Sequence, residues 1–295
     1  MAIIFFGTPQ FAVPSLKALI DEKEEIPLVI TQPDRAKGRG HKLSPPPIKE
    51  LASVHNIPVI QPLKIKEEAF FSMLKSYEPE FIIVVAYGRI LPEGILNIPK
   101  YYCINVHASL LPRYRGAAPI QWALINGEKV TGVTTMVVAK ELDAGDIFYQ
   151  REVTINDDDN TETLFSKLSV LGADLLIKTI RDIRKGAVKP VPQKGEVTYA
   201  PPLKKEDGKI DWNKGSQELT NFIRGMYPWP SAYCFFREER IKIIKAKALA
   251  GDGYPGRVEK ALKDFLIVGT GNGLLQIEVL QPEGKSPMDA SAFIS

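Results

Sequence analysis

Ala2-Ile-Ile-Phe-Phe6-Gly7-Thr8-Pro9-Gln-Phe-Ala-Val13-Pro14 opens the chain. Ala2–Phe6 is an apolar run of strand length, and Gly7-Thr8-Pro9 turns it. Val13-Pro14 starts a helix to about Ile20, with Pro in the first turn, where a missing N–H costs nothing. Pro27–Thr31 reads as a second strand. A strand–turn–helix–strand opening predicts an α/β fold with a doubly wound parallel sheet. It is not a dinucleotide fingerprint, because one glycine stands where G-x-G-x-x-G needs three. Downstream, Phe81–Ala86 is almost continuously apolar, the pattern of a parallel strand buried on both faces, and Tyr102–Val106 is another. The first ends in Tyr87-Gly88-Arg89-Ile90-Leu91-Pro92, the second in His107-Ala-Ser109-Leu-Leu-Pro-Arg-Tyr-Arg-Gly116. Open α/β sheets bind ligands at such loops.

Asn105 and His107 are two apart, so an extended strand points both to one face. An amide donor beside a titratable ring supplies two parts of an acyl-transfer site. The alternative is structural: His107 caps the strand and Asn105 begins a turn. Asp143, in Glu141-Leu-Asp143-Ala-Gly145-Asp146, follows the β-rich run Gly132–Val138, and from there it is expected to reach the same loop edge. A carboxylate next to an imidazole fixes its orientation and favours its charged form. No Ser or Cys lies in a G-x-S-x-G context, so direct transfer without a covalent enzyme intermediate is favoured. Sequence alone does not establish that Asp143 meets His107.

Residues 32–47 carry Arg35, Lys37, Arg39 and Lys42 among Gly and Pro, with no period. So long a connection is either functional or a solvated excursion; phosphate contact is the functional reading. Helices are expected over 48–55, 67–76 and from Pro119 to Ile125, with a short strand over 57–60. A long helix is expected from a capping signal at Asp159 and Glu162, along a face of Leu164, Leu168, Leu171, Leu175, Leu176, Ile180 and Ile183, to a stop at Gly186. Ala187–Pro202, with four prolines, reads as a linker. The expected division is a domain over 1–188, a linker over 189–208 and a second domain over 209–295. In the second, a helix at 216–226 precedes five short strands in about 85 residues, which fits a small OB-like β-barrel. Arg240, Lys242, Lys245 and Lys247 lie along one strand there; alternation splits them between two faces unless the strand bulges near Ile243-Ile244.

Composition excludes little: 44% hydrophobic and 25% charged is ordinary for a globular chain. Residues 1–188 carry 22 basic and 22 acidic side chains and residues 189–295 carry 16 and 13, so the surplus of three lies wholly in the last third. A polyanion would therefore meet local patches rather than a global field. Cys103 and Cys234 make no disulfide framework and are expected as buried thiols. Three histidines and no Cys/His cluster argue against a metal site. No apolar run has the length of a membrane span. Met1-Ala-Ile-Ile-Phe-Phe has no charged leader region, so no signal peptide and a cytoplasmic location are expected.

Asn105-x-His107 with Ser109-Leu-Leu-Pro-Arg-Tyr-Arg-Gly116, and later Leu142-Asp143-Ala-Gly-Asp146, resemble the 10-formyltetrahydrofolate-dependent formyltransferases. Phe6-Gly-Thr-Pro9, Gln32-Pro-Asp-Arg35, Val85-Ala-Tyr-Gly88, Gly116-Ala-Ala-Pro-Ile-Gln121, Tyr227-Pro-Trp-Pro230 and Leu280-Gln-Pro-Glu-Gly-Lys285 extend the resemblance along nearly the whole chain. The resemblance implies a Rossmann-like formyltransferase domain followed by an OB-like domain, with Asn105, His107 and Asp143 as catalytic residues. It implies a folate pocket lined by Ser109, Leu110, Leu111 and Pro112 with Tyr87, Gly88, Ile90 and Leu91. It implies a formyl donor, 10-formyltetrahydrofolate, and no metal. With the inserted basic loop and the C-terminal domain, it implies a monomer that formylates initiator methionyl-tRNA and meets its acceptor end through Arg35, Lys37, Arg39 and Lys42. Family members often continue past Ser295, which bears on the last barrel contacts and not on the site. The competing expectations are a formyltransferase for a small amine, a 10-formyltetrahydrofolate hydrolase and a non-catalytic RNA-binding protein. A small substrate needs neither the basic loop nor a second domain.

Overall fold

The structure is a computed structural model that describes residues 2–37, 42–262 and 265–294. The chain forms two compact units. One comprises Met1–Gly116, Gly132–Val153 and Phe165–Tyr199; the other comprises Ala117–Thr131, Thr154–Leu164 and Ala200–Ser295. The last crossing, at Tyr199–Ala200, falls inside the segment expected as a linker. Two mid-chain segments also join the second unit, which reading the chain in order did not anticipate, because they are bound by contacts far away in sequence. Residues 189–199 belong to the first unit and are not a free connection.

The first unit is built on a seven-stranded sheet in the order Ile147–Thr154, Val130–Val137, Tyr102–His107, Phe81–Val85, Ala2–Gly7, Glu25–Ile30, Val59–Ile60. From Tyr102–His107 to Val59–Ile60 all neighbours are parallel. Val130–Val137 is antiparallel to Tyr102–His107, with Val137 opposite Ile104 and Thr134 opposite His107. The strand order reverses between Ala2–Gly7 and Phe81–Val85, the place where such sheets leave a crevice. These two strands lack alternation because both faces are covered: Ile3, Ile4, Phe5, Phe6, Phe81, Ile82 and Ile83 are fully buried. Each large side chain of this kind is worth about 1.5–3 kcal/mol when removed from water. The helix Val13–Asp21 covers one face through Leu16 and Leu19.

The long helix Thr161–Arg184 forms as its periodicity predicts, with Leu164, Leu168, Leu175, Leu176, Ile180 and Ile183 buried. Its start differs from the expected one. Asn160 caps it, its Oδ1 accepting the Thr163 N–H at 3.0 Å while its own N–H reaches Thr163 Oγ1 at 3.0 Å. Asp159 instead takes the Asn156 N–H at 2.9 Å and the Thr163 hydroxyl at 2.8 Å. Gly186, at φ +66°, ends the helix as expected. No described helix is long and apolar enough to cross a membrane.

The second unit carries the five expected strands, and they are antiparallel: Ala232–Phe236, Glu239–Leu249, Leu274–Pro282, Phe265–Gly269 and Val258–Leu262 in that order, with Met288–Asp289 also on Leu274–Pro282. Its core takes in Ile210, Leu219, Ile223, Ile241, Ile243, Leu275 and Leu280. The helix Ser216–Met226 packs against Pro119–Ile125, which explains why that mid-chain helix belongs here.

In the first unit, Arg184 closes a three-member ion network. Its Nη2 lies 2.7 Å from Glu80 Oε2, and its Nη1 lies 2.6 Å from Glu24 Oε1. Glu80 is only 3% exposed, and the guanidinium is what its carboxyl group meets. Removing one partner of a buried pair is costly because the other charge stays unpaired. Arg184→Met should therefore destabilise the first unit by about 3 kcal/mol in urea unfolding; a change within 0.5 kcal/mol, as roughly typical of surface substitutions, would show that the network contributes nothing.

Candidate active site

The two-residue spacing puts Asn105 and His107 on one face of Tyr102–His107, and Asp143 meets both. Asn105 Nδ2 lies 3.4 Å from Asp143 Oδ1, and His107 Nδ1 lies 3.6 Å from Asp143 Oδ2. The second distance is longer than a hydrogen bond. The other ring nitrogen, Nε2, is 3.0 Å from the Tyr114 carbonyl oxygen. A carbonyl only accepts, so Nε2 carries the proton of that bond. The backbone N–H of Gly116 donates to Asp143 Oδ2 at 2.9 Å. His107 is 6% exposed and Asn105 is half-buried. The amide is therefore the more accessible donor and the ring is held from both sides.

Asp143 reaches this position by a route the sequence reading had wrong. Because Val130–Val137 runs antiparallel, it finishes beside Ile104, at the far edge from the loops. Val138 N–H bonds the Cys103 carbonyl at 2.8 Å, and Val137 N–H bonds that of Asp146 at 2.8 Å. The segment between turns back over the sheet face, onto Asn105 and His107. Asp143 sits in the left-handed region at φ +50°, which Asp tolerates better than most residues. Gly145 has no room for a side chain: a Cβ there would run into the Val137 carbonyl oxygen.

The loop after His107 is held by buried polar groups. Thr134 Oγ1 donates to the Ser109 carbonyl at 2.6 Å and accepts from Leu111 N–H at 3.2 Å and Gln150 Nε2 at 3.0 Å. Ser109 Oγ donates to the Arg113 carbonyl at 2.6 Å. Ser109, Leu111 and Pro112 are buried and Leu110 is partly so. On the adjacent strand, Val84 pairs with Asn105 in register, so the loop from Ala86 leaves the sheet one strand over from the site. Tyr87 is buried, edge-on to Phe6 at 5.1 Å, and its hydroxyl has no hydrogen-bond partner among the described residues. Burial pushes its phenol upward, against a smaller opposing effect of Arg89. Its carbonyl accepts from Thr8 Oγ1 at 3.0 Å and Gln32 Nε2 at 3.3 Å. Gly88, at φ +85°, has open space where a Cβ would stand. Leu91 is buried, but Ile90 is 67% exposed, an apolar side chain facing solvent on a polar loop.

The basic stretch is not irregular throughout: Arg35–Lys37 and Lys42–Ser44 pair as a short antiparallel ribbon. Arg35 is exposed. Arg39 lies outside the described residues, as do the side chains of Lys37 and Lys42. At the neck of the ribbon, Lys49 Nζ lies 2.8 Å from Asp34 Oδ2, and Gln61 Nε2 donates to Asp34 Oδ1 at 2.7 Å. The Lys49 ammonium first, and then the Gln61 amide, hold the Asp34 carboxyl below the usual carboxylate range.

In the second unit, the pairing shifts register between Ile243 and Lys245 and again between Lys245 and Ala246, where a bulge was expected. Ile241 and Ile243 face the core before it, and Ala246 and Ala248 pair with buried Ile277 and Leu275 after it. Arg240, Lys242, Lys245 and Lys247 consequently share the outward face. Tyr233 and Phe235 pair directly with Lys242 and Arg240, and the Arg240 guanidinium lies 3.8 Å over the Tyr233 ring. Lys245 is paired with Glu278 at 2.9 Å.

Sequence reading missed Gly116, Thr134 and Tyr114, which hold the site through backbone groups or a hydroxyl, and Gln193, which donates to the carbonyl of Asp143 at 2.8 Å. Among the described residues no group of three or more His, Cys, Asp or Glu side chains could hold a metal ion. Burial raises both thiols, Cys103 strongly and Cys234 to about 11.

The formyl transferase family matches residues 1–180, and the formyl transferase C-terminal domain family matches residues 202–295. Methionyl-tRNA formyltransferase of Thermodesulfovibrio yellowstonii is 61% identical over 293 residues, covering 99% of this chain and 95% of that protein. The enzyme of the same name from Pelotomaculum thermopropionicum is 50% identical over 297 residues, covering 100% and 95%. Among solved structures, the N-formyltransferase of Helicobacter canadensis in complex with folinic acid and dTDP-3-aminofucose superposes with a TM-score of 0.71, at 22% identity over 93% of this chain and 97% of that one. At that identity the likeness is one of fold.

The tight turn beneath Asp143 is open to test. Gly145→Ala should cost about 1–3 kcal/mol, as overpacking does, and should move the His107 ring resonances in NMR as Asp143 is displaced. An unchanged His107 spectrum would mean that the turn does not place the carboxylate.

Proposed function

The chain belongs to the formyl transferase family and groups with the methionyl-tRNA formyltransferases, and we propose that it moves the formyl group of 10-formyltetrahydrofolate onto the α-amine of methionine carried by initiator tRNA. The observation that carries the chemistry is the Asp143 carboxylate, shared by Asn105, His107 and the Gly116 N–H on one sheet face. In this reading the neutral amine attacks the formyl carbon, and the new C–N bond leaves an oxyanion on the formyl oxygen. Asn105, with a second amide N–H beyond the one facing Asp143, donates to that oxygen. His107 joins it when the formyl oxygen takes the place of the Tyr114 carbonyl on Nε2. Asp143 holds the ring and helps pass the proton lost by the amine toward N10, whose bond to the formyl carbon breaks. Nothing in this sequence of steps needs a covalent enzyme intermediate.

The donor is assigned to the two loops that flank Asn105. Ser109, Leu110, Leu111 and Pro112 form one wall, and Tyr87, Gly88, Ile90 and Leu91 the other. Three features suit a flat heteroaromatic ring with polar edges: the open space at Gly88, the exposed Ile90, and the unpartnered Tyr87 hydroxyl. The acceptor is assigned to Arg35, Lys37, Arg39 and Lys42 and to the outward strand face of the second unit. Cations beside stackable rings are what an RNA backbone with accessible bases would recognise. A small amine needs no such surface.

Each preorganised donor is typically worth about 10²–10³ in rate. Asn105→Ala and His107→Ala should thus each lower kcat by about that factor, with tRNA affinity within a few fold of wild type. Near-normal kcat in both would remove the mechanism. The acceptor is settled by incubating 10-formyltetrahydrofolate with methionyl initiator tRNA, uncharged tRNA, free amines or buffer; only the charged tRNA should be formylated.

Neutralising Arg240, Lys242 and Lys247 should weaken tRNA binding and flatten its dependence on log salt, by roughly 0.7–0.9 for each phosphate no longer neutralised. Here kcat at saturating tRNA should hold. An unchanged salt slope would exclude that face from RNA contact.

A further inference from the structure

Residues 187–202 read as a linker, yet one side chain from this segment ends at the site. Gln193 Nε2 donates to the carbonyl oxygens of Asp143 and Gly145, both at 2.8 Å. Gln193 Oε1 accepts from Arg115 Nε at 3.1 Å and Nη2 at 2.7 Å. A primary amide has two N–H groups and two lone pairs, so all of its capacity is used. The pattern has a direction. The amide nitrogen can serve two carbonyls, and the amide oxygen can serve a guanidinium; no other uncharged side chain of this length does both.

The groups it joins are the ones that set Asp143. Gln193 grips the turn on both sides of Ala144, where Asp143 is at φ +50° and Gly145 is packed against Val137. A non-glycine residue held there costs on the order of 1–3 kcal/mol and persists only where its surroundings fix it. On the other side it holds Arg115, next to Gly116, whose N–H donates to Asp143 Oδ2 at 2.9 Å. One side chain therefore ties the turn that carries the carboxylate to the segment that supplies that carboxylate with a donor. Its own backbone is anchored nearby: Val191 and Ile147 exchange N–H···O bonds of 2.8 and 2.9 Å.

We propose that Gln193, acting with Arg115, is a positioning residue for formyl transfer that fixes Asp143 against His107 and Asn105. This rests on the reading of Asp143 as a catalytic carboxylate. Gln193 touches no reacting atom. It acts through the backbone of the turn, so its loss changes the rate and not the affinity for either substrate.

The test uses Gln193→Leu, which keeps volume and removes both donors and acceptor, alone and combined with Asp143→Ala. Misplacement of a reacting group by about 1 Å can cost about 100-fold, so Gln193→Leu should lower kcat by roughly 10- to 100-fold. KM for the formyl donor and for methionyl-tRNA should stay within about threefold. Residues that act as a unit are not additive, so adding Gln193→Leu to Asp143→Ala should cost less than about threefold more. Arg115→Lys, which keeps the charge and loses the bidentate geometry, should give the same pattern with smaller amplitude, and it carries the test if Gln193→Leu does not fold. A kcat within twofold of wild type, or the full loss recurring in the Asp143→Ala background, overturns the proposal. His107 ring resonances, read by NMR without any substrate, should shift in Gln193→Leu, and unchanged resonances overturn it as well. A wild-type protein that formylates no methionyl-tRNA would instead overturn the proposed function, while the NMR arm still decides the positioning role.

Discussion

The antiparallel seam between Tyr102–His107 and Val130–Val137 governs where a site can form in the first unit. In a wholly parallel sheet, successive strands deliver their loops to one edge, and ligands collect there. Adding one reversed strand sends the chain toward the opposite edge, and Ile147–Thr154 starts beside its end, where the Val137 N–H bonds the Asp146 carbonyl. The connection between the two strands folds over the sheet face, and that brings Asp143 to His107 and to Asn105, 38 residues away in sequence. The lack of space at Gly145 and the left-handed backbone at Asp143 are consequences of that path.

The site is rigid because its polar groups are spoken for by the scaffold. Thr134 lies on the reversed strand opposite His107, and its hydroxyl links the Ser109 carbonyl, the Leu111 N–H and the Gln150 amide. The loop that follows His107 is thus tied to the strand that leads into the Asp143 turn. The same strand pair that sets Asp143 also fixes the loop opposite it. A buried polar network of this kind holds its geometry only while each member is satisfied, since low dielectric makes an orphaned group expensive. Gln193 extends that logic outward, and the unpartnered Tyr87 hydroxyl stands out against it.

Local pattern revealed the strands, the helix faces and the shared direction of Asn105 and His107, because period two and period 3.6 are properties of neighbouring residues. Even the bulge was legible, since four cations along one strand cannot share a face without it. What local pattern could not show was partnership across long separations. Gln193 sits in a proline-rich segment that looks like a connection, and its partners lie 48, 50 and 78 residues away. The reversed strand carried no mark of its direction, so the route of Asp143 was misjudged. Asn160 took the cap expected of Asp159 because Asp159 was used by Asn156 and Thr163. The Arg35–Lys37 ribbon was hidden because its strands are too short for alternation to register.

The chemistry of the first unit says little about which amine it serves. In the proposed reaction an accessible amide, and a ring held by a carboxylate, would stabilise the same oxyanion whether the nucleophile is small or tethered to a large polymer. Selection must then come from binding away from the reacting atoms. The bulge in Glu239–Leu249 supplies such a surface by placing Arg240, Lys242, Lys245 and Lys247 on one face beside Tyr233 and Phe235. An irregularity that shifts the pairing twice between Ile243 and Ala246 converts a pattern that would send half of these cations into the core into one that aligns them. The cost of burying a lysine forbids the unbulged register. The same constraint that keeps charge out of the core therefore gathers it on the face where a polyanion can use it.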